Sequence, residues 1–348
     1  MTDLPTASIP LPAQPAGVSW PTLTWATGPM LTGDPERLDL VLDRAFDVNP
    51  NPELASSLAF VAAQGGRIVA ERYGPHVTAT TALTSWSVAK SITQAAVGLA
   101  TGDGVIDIDA APAAPEWTDP ADPRHGITLR HLMAMRSGLE FNEDYVDAGT
   151  SHCLEMLFGS GAADMAHYAA TQELAAPVDT VFNYSSGSTN IVSRAVSQAY
   201  GLDRAGTDAL LRSRLFGPLG MTSATPHYDG AGTMVGSSYV YATARDFARF
   251  GLLYLRDGVW EGRRILPEGW VDQARTARSV DEEDGQFYGA FWWVWGDEHG
   301  TFAAQGYEGQ LVAVVPALDL VLVRLGKSPI AHRPALFAFY RDVIDAFT

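Results

Sequence analysis

Apolar positions along the chain follow strand-like spacing at both ends and helical spacing in the middle. Two short apolar runs, residues 57–63 and 67–73, lie on either side of Gly65-Gly66, which predicts a β-hairpin. From Phe291 onward, alternating runs predict strands over 291–295, 301–304, 310–315 and 320–325. Helical spacing predicts the remaining elements, over 35–46, 87–101, 128–135, 161–171, 189–200, 207–215, 242–256 and 333–347.

This order of elements favours one α/β lobe built from both ends of the chain, with a mostly helical lobe inserted into it. The changes of spacing place the boundaries near residues 84 and 234. We therefore expect one lobe from residues 1–84 and 235–348, and a second lobe from residues 85–234. No internal repeat or low-complexity tract alters this division.

The composition is that of a globular protein with a substantial core, and it excludes several classes of partner. Hydrophobic residues make up 47% of the 348 positions and charged residues 18%. The net charge of −17 is spread along the chain, so the surface repels nucleic acid and anionic membranes. We therefore expect no nucleic-acid partner, no membrane partner, and a monomer or homodimer.

The N-terminus and the cysteine content bear on the compartment. Residues 1–17 lack the basic and apolar regions of a signal peptide, and no apolar stretch is long enough to span a bilayer. Cys153 is the single cysteine, so no intrachain disulfide can form, and we interpret it as structural. These features favour the cytoplasm. The eight histidines show no metal-ligand spacing and no nucleotide motif is present, so we expect no metal and no cofactor.

Candidate chemistry begins with Ser87 and Lys90, because Lys90 is one of two lysines in the chain and lies on an apolar helix. An ammonium among Val88, Ala89 and Ile92 is costly, and burial and the helix dipole both lower a lysine pKa. Residues three apart share a helix face, so the Lys90 amine can act as a general base toward Ser87. Free N–H groups at the helix N-terminus can stabilise an oxyanion. The alternative is a capping serine followed by a lysine that reaches solvent.

Two further segments carry groups that suit the same chemistry. Tyr184 stands at a predicted loop-to-helix junction, where its phenol can pass a proton to a leaving group. Gly306 and Tyr307 lie between two predicted strands, where glycine permits close backbone approach and the Tyr307 N–H can donate to an oxyanion. Taken singly, the alternatives are a packed tyrosine beside capping serines and an ordinary turn between strands.

Together, S-x-x-K at 87–90, Y-x-S at 184–186 and the glycine-containing strand edge at 304–309 resemble the serine β-lactamase and penicillin-binding-protein superfamily. Segments 127–133, 136–139, 182–187 and 216–221 resemble one branch, the class C-like (family VIII) carboxylesterases and 6-aminohexanoate-dimer hydrolases. The resemblance covers roughly residues 36–345 and implies a β-lactamase-like α/β (α+β) fold. In that fold an antiparallel sheet is flanked by N- and C-terminal helices, and the active site lies between the lobes. The resemblance also implies Ser87 as nucleophile, Lys90 as base, Tyr184 as proton-transfer partner, and the Ser87 and Tyr307 amides as oxyanion hole.

The third motif departs from the family, because Ala304 stands where β-lactamases and penicillin-binding proteins usually carry the lysine of K-T-G. That lysine helps to bind a substrate carboxylate. We therefore expect a serine hydrolase that cleaves a small ester or linear amide through an acyl-enzyme on Ser87, either a carboxylesterase or a 6-aminohexanoate-oligomer-type amidase. The alternatives are a β-lactamase or D-Ala-D-Ala peptidase, and a catalytically silent binding protein on the same fold. The residues expected to contact substrate are Trp86, Glu143, Ser186, Gly306 and Trp292.

Overall fold

Helices and short strands alternate along the chain, for which a computed structural model describes residues 4–7 and 9–348. The helices are α1 (Pro35–Phe46), α2 (Val88–Gly102), α3 (Leu129–Met133), α4 (His152–Phe158), α5 (Met165–Ala170), α6 (Ser186–Ala199), α7 (Arg204–Leu211), α8 (Gly217–Leu219), α9 (Ala244–Leu255), α10 (Trp270–Arg275) and α11 (Arg333–Asp345). The strands are β1 (Ser56–Gln64), β2 (Arg67–Tyr73), β3 (Leu83–Thr84), β4 (Thr225–Pro226), β5 (Val240–Ala242), β6 (Val259–Trp260), β7 (Arg263–Arg264), β8 (Ser279–Val280), β9 (Phe287–Tyr288), β10 (Trp293–Val294), β11 (Phe302–Gly306), β12 (Gln310–Val315) and β13 (Leu320–Lys327).

An eight-stranded sheet joins the two ends of the chain. Its strand order is β2-β1-β13-β12-β11-β10-β9-β8, and the neighbouring strands pair in the antiparallel sense. The hairpin of β1 and β2 joins the rest of the sheet through β13, where Val61 lies opposite Val323. The sheet therefore uses strands from both ends of the sequence. The precise lobe boundaries, at residues 84 and 234, stay a prediction.

Helices cover both faces of this sheet, which is why its central strands are apolar on both sides. On one face α1 and α11 pack against β1, and Leu42, Phe60 and Phe339 share one core. On the other face α2 and α9 pack against the sheet, and Ile92 and Phe250 belong to a second, larger core. Strand β12 is buried along its whole length as a result.

Helix α2 is enclosed on all sides. It lies between α6 and strands β11 and β12, and every residue from Val88 to Ala100 is buried. A helix that is apolar all round suits such a position. Lys90 on this helix is 1% exposed, so it does not reach solvent. The alternative of a solvent-reaching lysine is therefore wrong.

Some elements begin or end where the sequence pattern did not indicate. Helix α5 begins only at Met165, because the Asp164 carboxylate accepts the His167 N–H and caps the helix there. The strand predicted over 291–295 shortens to β10, since Phe291 has a φ of +55° that strand geometry does not allow. Helix α4 was not predicted; Ser151 caps it by accepting the Leu154 N–H. Within the described ranges, no helix has both the length and the apolar character needed to cross a bilayer.

Candidate active site

The turn that presents Ser87 is held against strand β5. The Ser85 N–H donates to the Val240 carbonyl at 3.0 Å, and the Ser85 hydroxyl oxygen accepts the Val240 N–H at 3.0 Å. The next residue, Trp86, has a φ of +42°, an unfavourable value for a bulky side chain that surrounding contacts must maintain. Ser87 follows immediately as the N-cap of α2. The turn therefore fixes the Ser87 hydroxyl at the N-terminus of a buried helix.

Lys90 lies one helical turn farther along α2, with its amine among three oxygen atoms. Its Nζ is 3.0 Å from Ser87 Oγ, 2.9 Å from Ser186 Oγ and 3.1 Å from the Ser237 carbonyl oxygen. Burial lowers the pKa of Lys90, and the nearby charge of Glu143 opposes this effect. A lowered pKa makes the neutral amine available, and that form can take a proton from Ser87.

Tyr184 lies across the Ser87–Lys90 pair, just before α6. Its ring stacks on Trp293 with 5.5 Å between the centroids, and it meets the edge of Tyr288 at 6.0 Å. Lys90 Nζ is 4.8 Å from the centre of the Tyr184 ring. The aromatic packing fixes the phenol beside the nucleophile. The three residues predicted to carry the chemistry are therefore brought together.

The protonation state of Tyr184 follows from its surroundings. Burial raises the pKa of its phenol well above the usual value, and the charge of Glu143 raises it further. A hydrogen-bonding contact with Ser87 partly offsets these effects. The phenol therefore keeps its proton near neutral pH and can serve as a donor, whereas the base at this site is the lysine.

Gly306 ends strand β11 directly against the nucleophile turn. A Cβ at this position would lie 2.6 Å from the Ser85 carbonyl oxygen and 3.0 Å from the Ser87 nitrogen. The Ser87 N–H makes no backbone hydrogen bond within the part of the chain that the structure describes. Glycine thus leaves space beside a free N–H, as an oxyanion hole requires. Tyr307 lines the same cleft, and its role as second donor stays a prediction.

The site opens into a cleft of about 740 Å³ whose charged lining is mainly acidic. Two arginines also line it, but each is paired: Arg136 with Asp179 at 2.7 Å and Arg333 with Asp284 at 2.5 Å. The lining therefore carries an excess of negative charge, which disfavours anions. The lining carboxylates belong to Glu143, Asp281, Glu282, Glu283 and Glu308.

Of the residues expected to contact substrate, Glu143 and Ser186 are hydrogen-bonded to each other. The Ser186 N–H donates to Glu143 Oε2 at 2.7 Å, and the Ser186 hydroxyl donates to Glu143 Oε1 at 2.5 Å. Gly306 lines the cleft, as described above. Trp86 is half-buried, with its indole N–H donating to Glu308 at 3.3 Å, and it is not part of the cleft lining. Contact of these residues with substrate stays a prediction.

The assignment of Trp292 to substrate binding is wrong. Its side chain is fully buried and packs against Phe250, Tyr254 and Phe302, beneath the sheet rather than in the cleft. The neighbouring Trp293 lines the cleft instead. Trp292 lies just before β10, which begins at Trp293, so the alternation expected for a strand over 291–295 does not extend to it.

Two contributors were not found from the sequence. Ser237 contributes through its backbone carbonyl, which no side-chain pattern can indicate. Tyr145 lines the cleft and its hydroxyl donates to Glu143 Oε1 at 2.6 Å, but it lies in an irregular segment. Cys153 is buried behind the site, where burial raises the pKa of its thiol.

Comparison with known proteins places this arrangement in a family. A family model described as Beta-lactamase matches residues 51–343. The chain belongs to the beta-lactamase family. A 6-aminohexanoate-dimer hydrolase of Paenarthrobacter ureafaciens is 28% identical over 319 residues, which is 84% of this chain and 78% of that protein.

Solved structures share the beta-lactamase family fold at lower identity. A Bacillus anthracis protein provisionally named as a 6-aminohexanoate-dimer hydrolase is 21% identical, with a TM-score of 0.72 over 96% of this chain and 89% of that chain. A penicillin-binding-protein homologue from Caulobacter crescentus is 15% identical, with a TM-score of 0.69 over 92% of this chain and 100% of that chain. These likenesses confirm the predicted fold class, and the family match confirms the predicted resemblance to serine hydrolases.

Proposed function

We propose that this beta-lactamase-family protein hydrolyses a small ester or a linear amide through an acyl-enzyme on Ser87. The observation that supports the proposal most directly is the 3.0 Å separation of Lys90 Nζ and Ser87 Oγ beside an open cleft. A nucleophile within hydrogen-bonding reach of a buried base, with a protonated phenol next to both, is the arrangement that covalent acyl transfer needs.

The acylation step uses each of these groups once. Neutral Lys90 takes the proton of Ser87 as Oγ attacks the carbonyl carbon of the substrate. The Ser87 N–H stabilises the negative charge that develops on the carbonyl oxygen, and Gly306 provides the space for it. Tyr184 donates its proton to the leaving alcohol or amine, and the proton held by Lys90 returns the phenol to its starting state. The product is an ester between Ser87 and the acyl group.

Deacylation reverses the roles with water as the nucleophile. A water molecule gives a proton to neutral Lys90 as its oxygen attacks the acyl carbon, and Lys90 then passes that proton to Ser87 Oγ as the serine leaves. The net reaction adds one water across the ester or amide bond. The same donor at the Ser87 N–H serves both steps.

The charge of the cleft favours a substrate without a carboxylate near the scissile bond. Ala304 is 1% exposed and packs in the core, so it supplies no cation. The arginines of the cleft are already paired with carboxylates. A neutral ester or an amine-bearing linear amide suits this lining better than an anionic β-lactam. The name of the Paenarthrobacter relative, a 6-aminohexanoate-dimer hydrolase, supports a linear amide.

The test combines active-site labelling with a substrate panel. A fluorophosphonate probe should label the parental chain at Ser87, and Ser87→Ala should lose both labelling and turnover. The panel compares p-nitrophenyl butyrate, a linear 6-aminohexanoate amide and nitrocefin. Undiminished turnover by Ser87→Ala would overturn the proposal. Preferred hydrolysis of nitrocefin would favour the β-lactamase alternative, and a parental chain that is neither labelled nor active would favour a binding protein.

A further inference from the structure

A chain of hydrogen bonds leads from the catalytic lysine to a carboxylate that does not reach the nucleophile. Lys90 Nζ lies 2.9 Å from Ser186 Oγ, and Ser186 Oγ lies 2.5 Å from Glu143 Oε1. Glu143 also accepts the Ser186 N–H at 2.7 Å and the Tyr145 hydroxyl at 2.6 Å. Two oxygen atoms thus accept three hydrogens, one of them from a backbone N–H that can only donate. This set of donors fits a carboxylate.

The position of Glu143 at a helix N-terminus also suits a carboxylate. Ser186 is the first residue of the 14-residue helix α6, so the carboxylate lies at the positive end of the helix dipole. A carboxylate carries no hydrogen, and the Ser186 hydroxyl must therefore point its hydrogen toward Glu143. Ser186 Oγ can then only accept a hydrogen bond from its other neighbour, which is Lys90.

The number of hydrogens on Lys90 then decides where its lone pair lies. A neutral amine has two N–H groups and one lone pair. The Ser237 carbonyl oxygen, at 3.1 Å, can only accept and uses one N–H. Ser186 Oγ uses the other, because its own hydrogen is committed to Glu143. The lone pair is left for the third neighbour, Ser87 Oγ, at 3.0 Å.

We propose that Glu143 is a positioning residue, which directs the lone pair of Lys90 at Ser87 by fixing the hydrogen of Ser186. It does not touch the nucleophile or the reacting atoms. The inference rests on the proposed function, because it explains how the base of that reaction is oriented. This role differs from the substrate contact that the sequence predicted for Glu143.

Replacement of the carboxylate by an amide reverses the direction of the hydrogen bonds between Glu143, Ser186 and Lys90. In Glu143→Gln the single amide oxygen must stay with the Ser186 N–H, which cannot turn. The NH2 group then faces the Ser186 hydroxyl and donates to it. The freed hydroxyl hydrogen of Ser186 turns toward Lys90 and occupies the lone pair that served Ser87. The variant keeps the shape of Glu143 and loses the direction of the hydrogen bonds.

Loss of the charge has a separate, measurable effect. The groups that act on Lys90 or lie close to it on neighbouring segments are Glu143, Cys153 of α4 and Tyr184. The charge of Glu143 raises the pKa of Lys90 against the effect of burial. Removing that charge lowers the pKa of Lys90 further. The pH at which the amine becomes neutral should therefore move downward in Glu143→Gln.

The experiment measures the rate of fluorophosphonate labelling at Ser87 across pH, which needs no knowledge of the natural substrate. Glu143→Gln should lower the plateau of the labelling rate by about 100-fold, the lower end of what a well-placed general base contributes. The midpoint of the pH–rate profile of this variant should also move to lower pH. The matched control is Glu140→Gln, which removes the same charge from an exposed residue three positions earlier and outside the cleft lining. This control should label within about twofold of the parental rate, with an unchanged midpoint.

A second variant tests the middle member of this hydrogen-bond network, Ser186. Ser186→Ala keeps the carboxylate and removes the hydroxyl, so the plateau should fall while the midpoint moves less than in Glu143→Gln. It also serves if Glu143→Gln does not fold, as judged by circular dichroism. A folded Glu143→Gln chain with the parental plateau would overturn the inference. So would a lower plateau with an unmoved midpoint, since a merely structural role produces that result.

Failure of the proposed function is distinguishable from failure of the inference. If the parental chain itself is not labelled at Ser87, the proposed reaction and the inference both fall. If the parental chain is labelled and the Glu143→Gln and Ser186→Ala variants behave like it, only the inference falls.

Discussion

The space beside the Ser87 N–H depends on a single missing side chain, and Gly306→Ala tests its importance. Gly306 has a φ of −132°, which alanine adopts without strain, so the effect of the substitution comes from contact alone. The new Cβ would lie 2.6 Å from the Ser85 carbonyl oxygen and 3.0 Å from the Ser87 nitrogen. Both neighbours are backbone atoms, which cannot rotate away. The methyl group therefore occupies the space that the substrate oxyanion needs.

The expected magnitude follows from what an oxyanion donor contributes. Loss of one such donor lowers kcat by about 10²- to 10³-fold, or about 2.7–4 kcal/mol. Overpacking at this position should also lower the free energy of unfolding by about 1–3 kcal/mol. We expect Gly306→Ala to stay folded and to lose at least about 100-fold in kcat on p-nitrophenyl butyrate.

The assay measures kcat, the fluorophosphonate labelling rate and the melting temperature of each variant. The matched control is Gly126→Ala, because a Cβ at Gly126 meets no atom within 4 Å. The control should keep the parental kcat and melting temperature. A folded Gly306→Ala chain with parental kcat would refute the assignment of the oxyanion site to this space.

Three further outcomes follow from the same structure. Burial makes the pKa of Lys90 lower in the folded chain than in the unfolded chain, so the unfolded state binds more protons between these two pKa values, and stability rises with pH across that interval, up to about pH 10. Lys90→Met should abolish turnover, and its melting temperature relative to the parental chain should rise as the pH falls through that interval; a pH-independent difference would contradict this. Trp292→Ala should lower the free energy of unfolding by about 3–5 kcal/mol and leave KM and kcat of the folded enzyme near the parental values. Trp293→Ala, which removes a cleft side chain stacked on Tyr184, should also change KM and kcat, and parental kinetics in this variant would disprove the distinction. The Cys153 thiol is buried and its pKa is raised, so it should react with iodoacetamide at pH 8 only as the chain unfolds, and rapid labelling of the native protein would count against its placement.

The sequence predicts the helix that carries the nucleophile well, because burial is the main requirement on its residues. An almost fully apolar helix that carries one of two lysines has few explanations, and burial of Lys90 follows from that pattern. The hairpin and strand β12 were predicted for a similar reason, since their apolar runs are bounded by turn residues. Local sequence and tertiary environment agree at these places.

Other parts of the site depend on information that a single sequence does not carry. The alternation expected for a strand over 291–295 predicts that Trp292 and Trp293 point to opposite faces, but it does not say which face is the cleft, and the strand itself begins only at Trp293. The carboxylate of Glu143 turns inward because α6 presents a free N–H to it, which is a tertiary relation. The Ser237 carbonyl takes part as backbone, so the identity of its side chain gives no indication.

The pairing of β1 with β13 has a consequence for the order in which the parts of the active site are synthesised and assembled. Ser87 and Lys90 are synthesised early, whereas Gly306 and the strand that borders β1 come near the end of the chain. Sheets that join distant segments must close long loops before those contacts stabilise them, which slows folding. A nascent chain therefore carries its nucleophile without the strand edge that completes the site. The topology therefore delays completion of the active site until the last strands of the sheet have been synthesised.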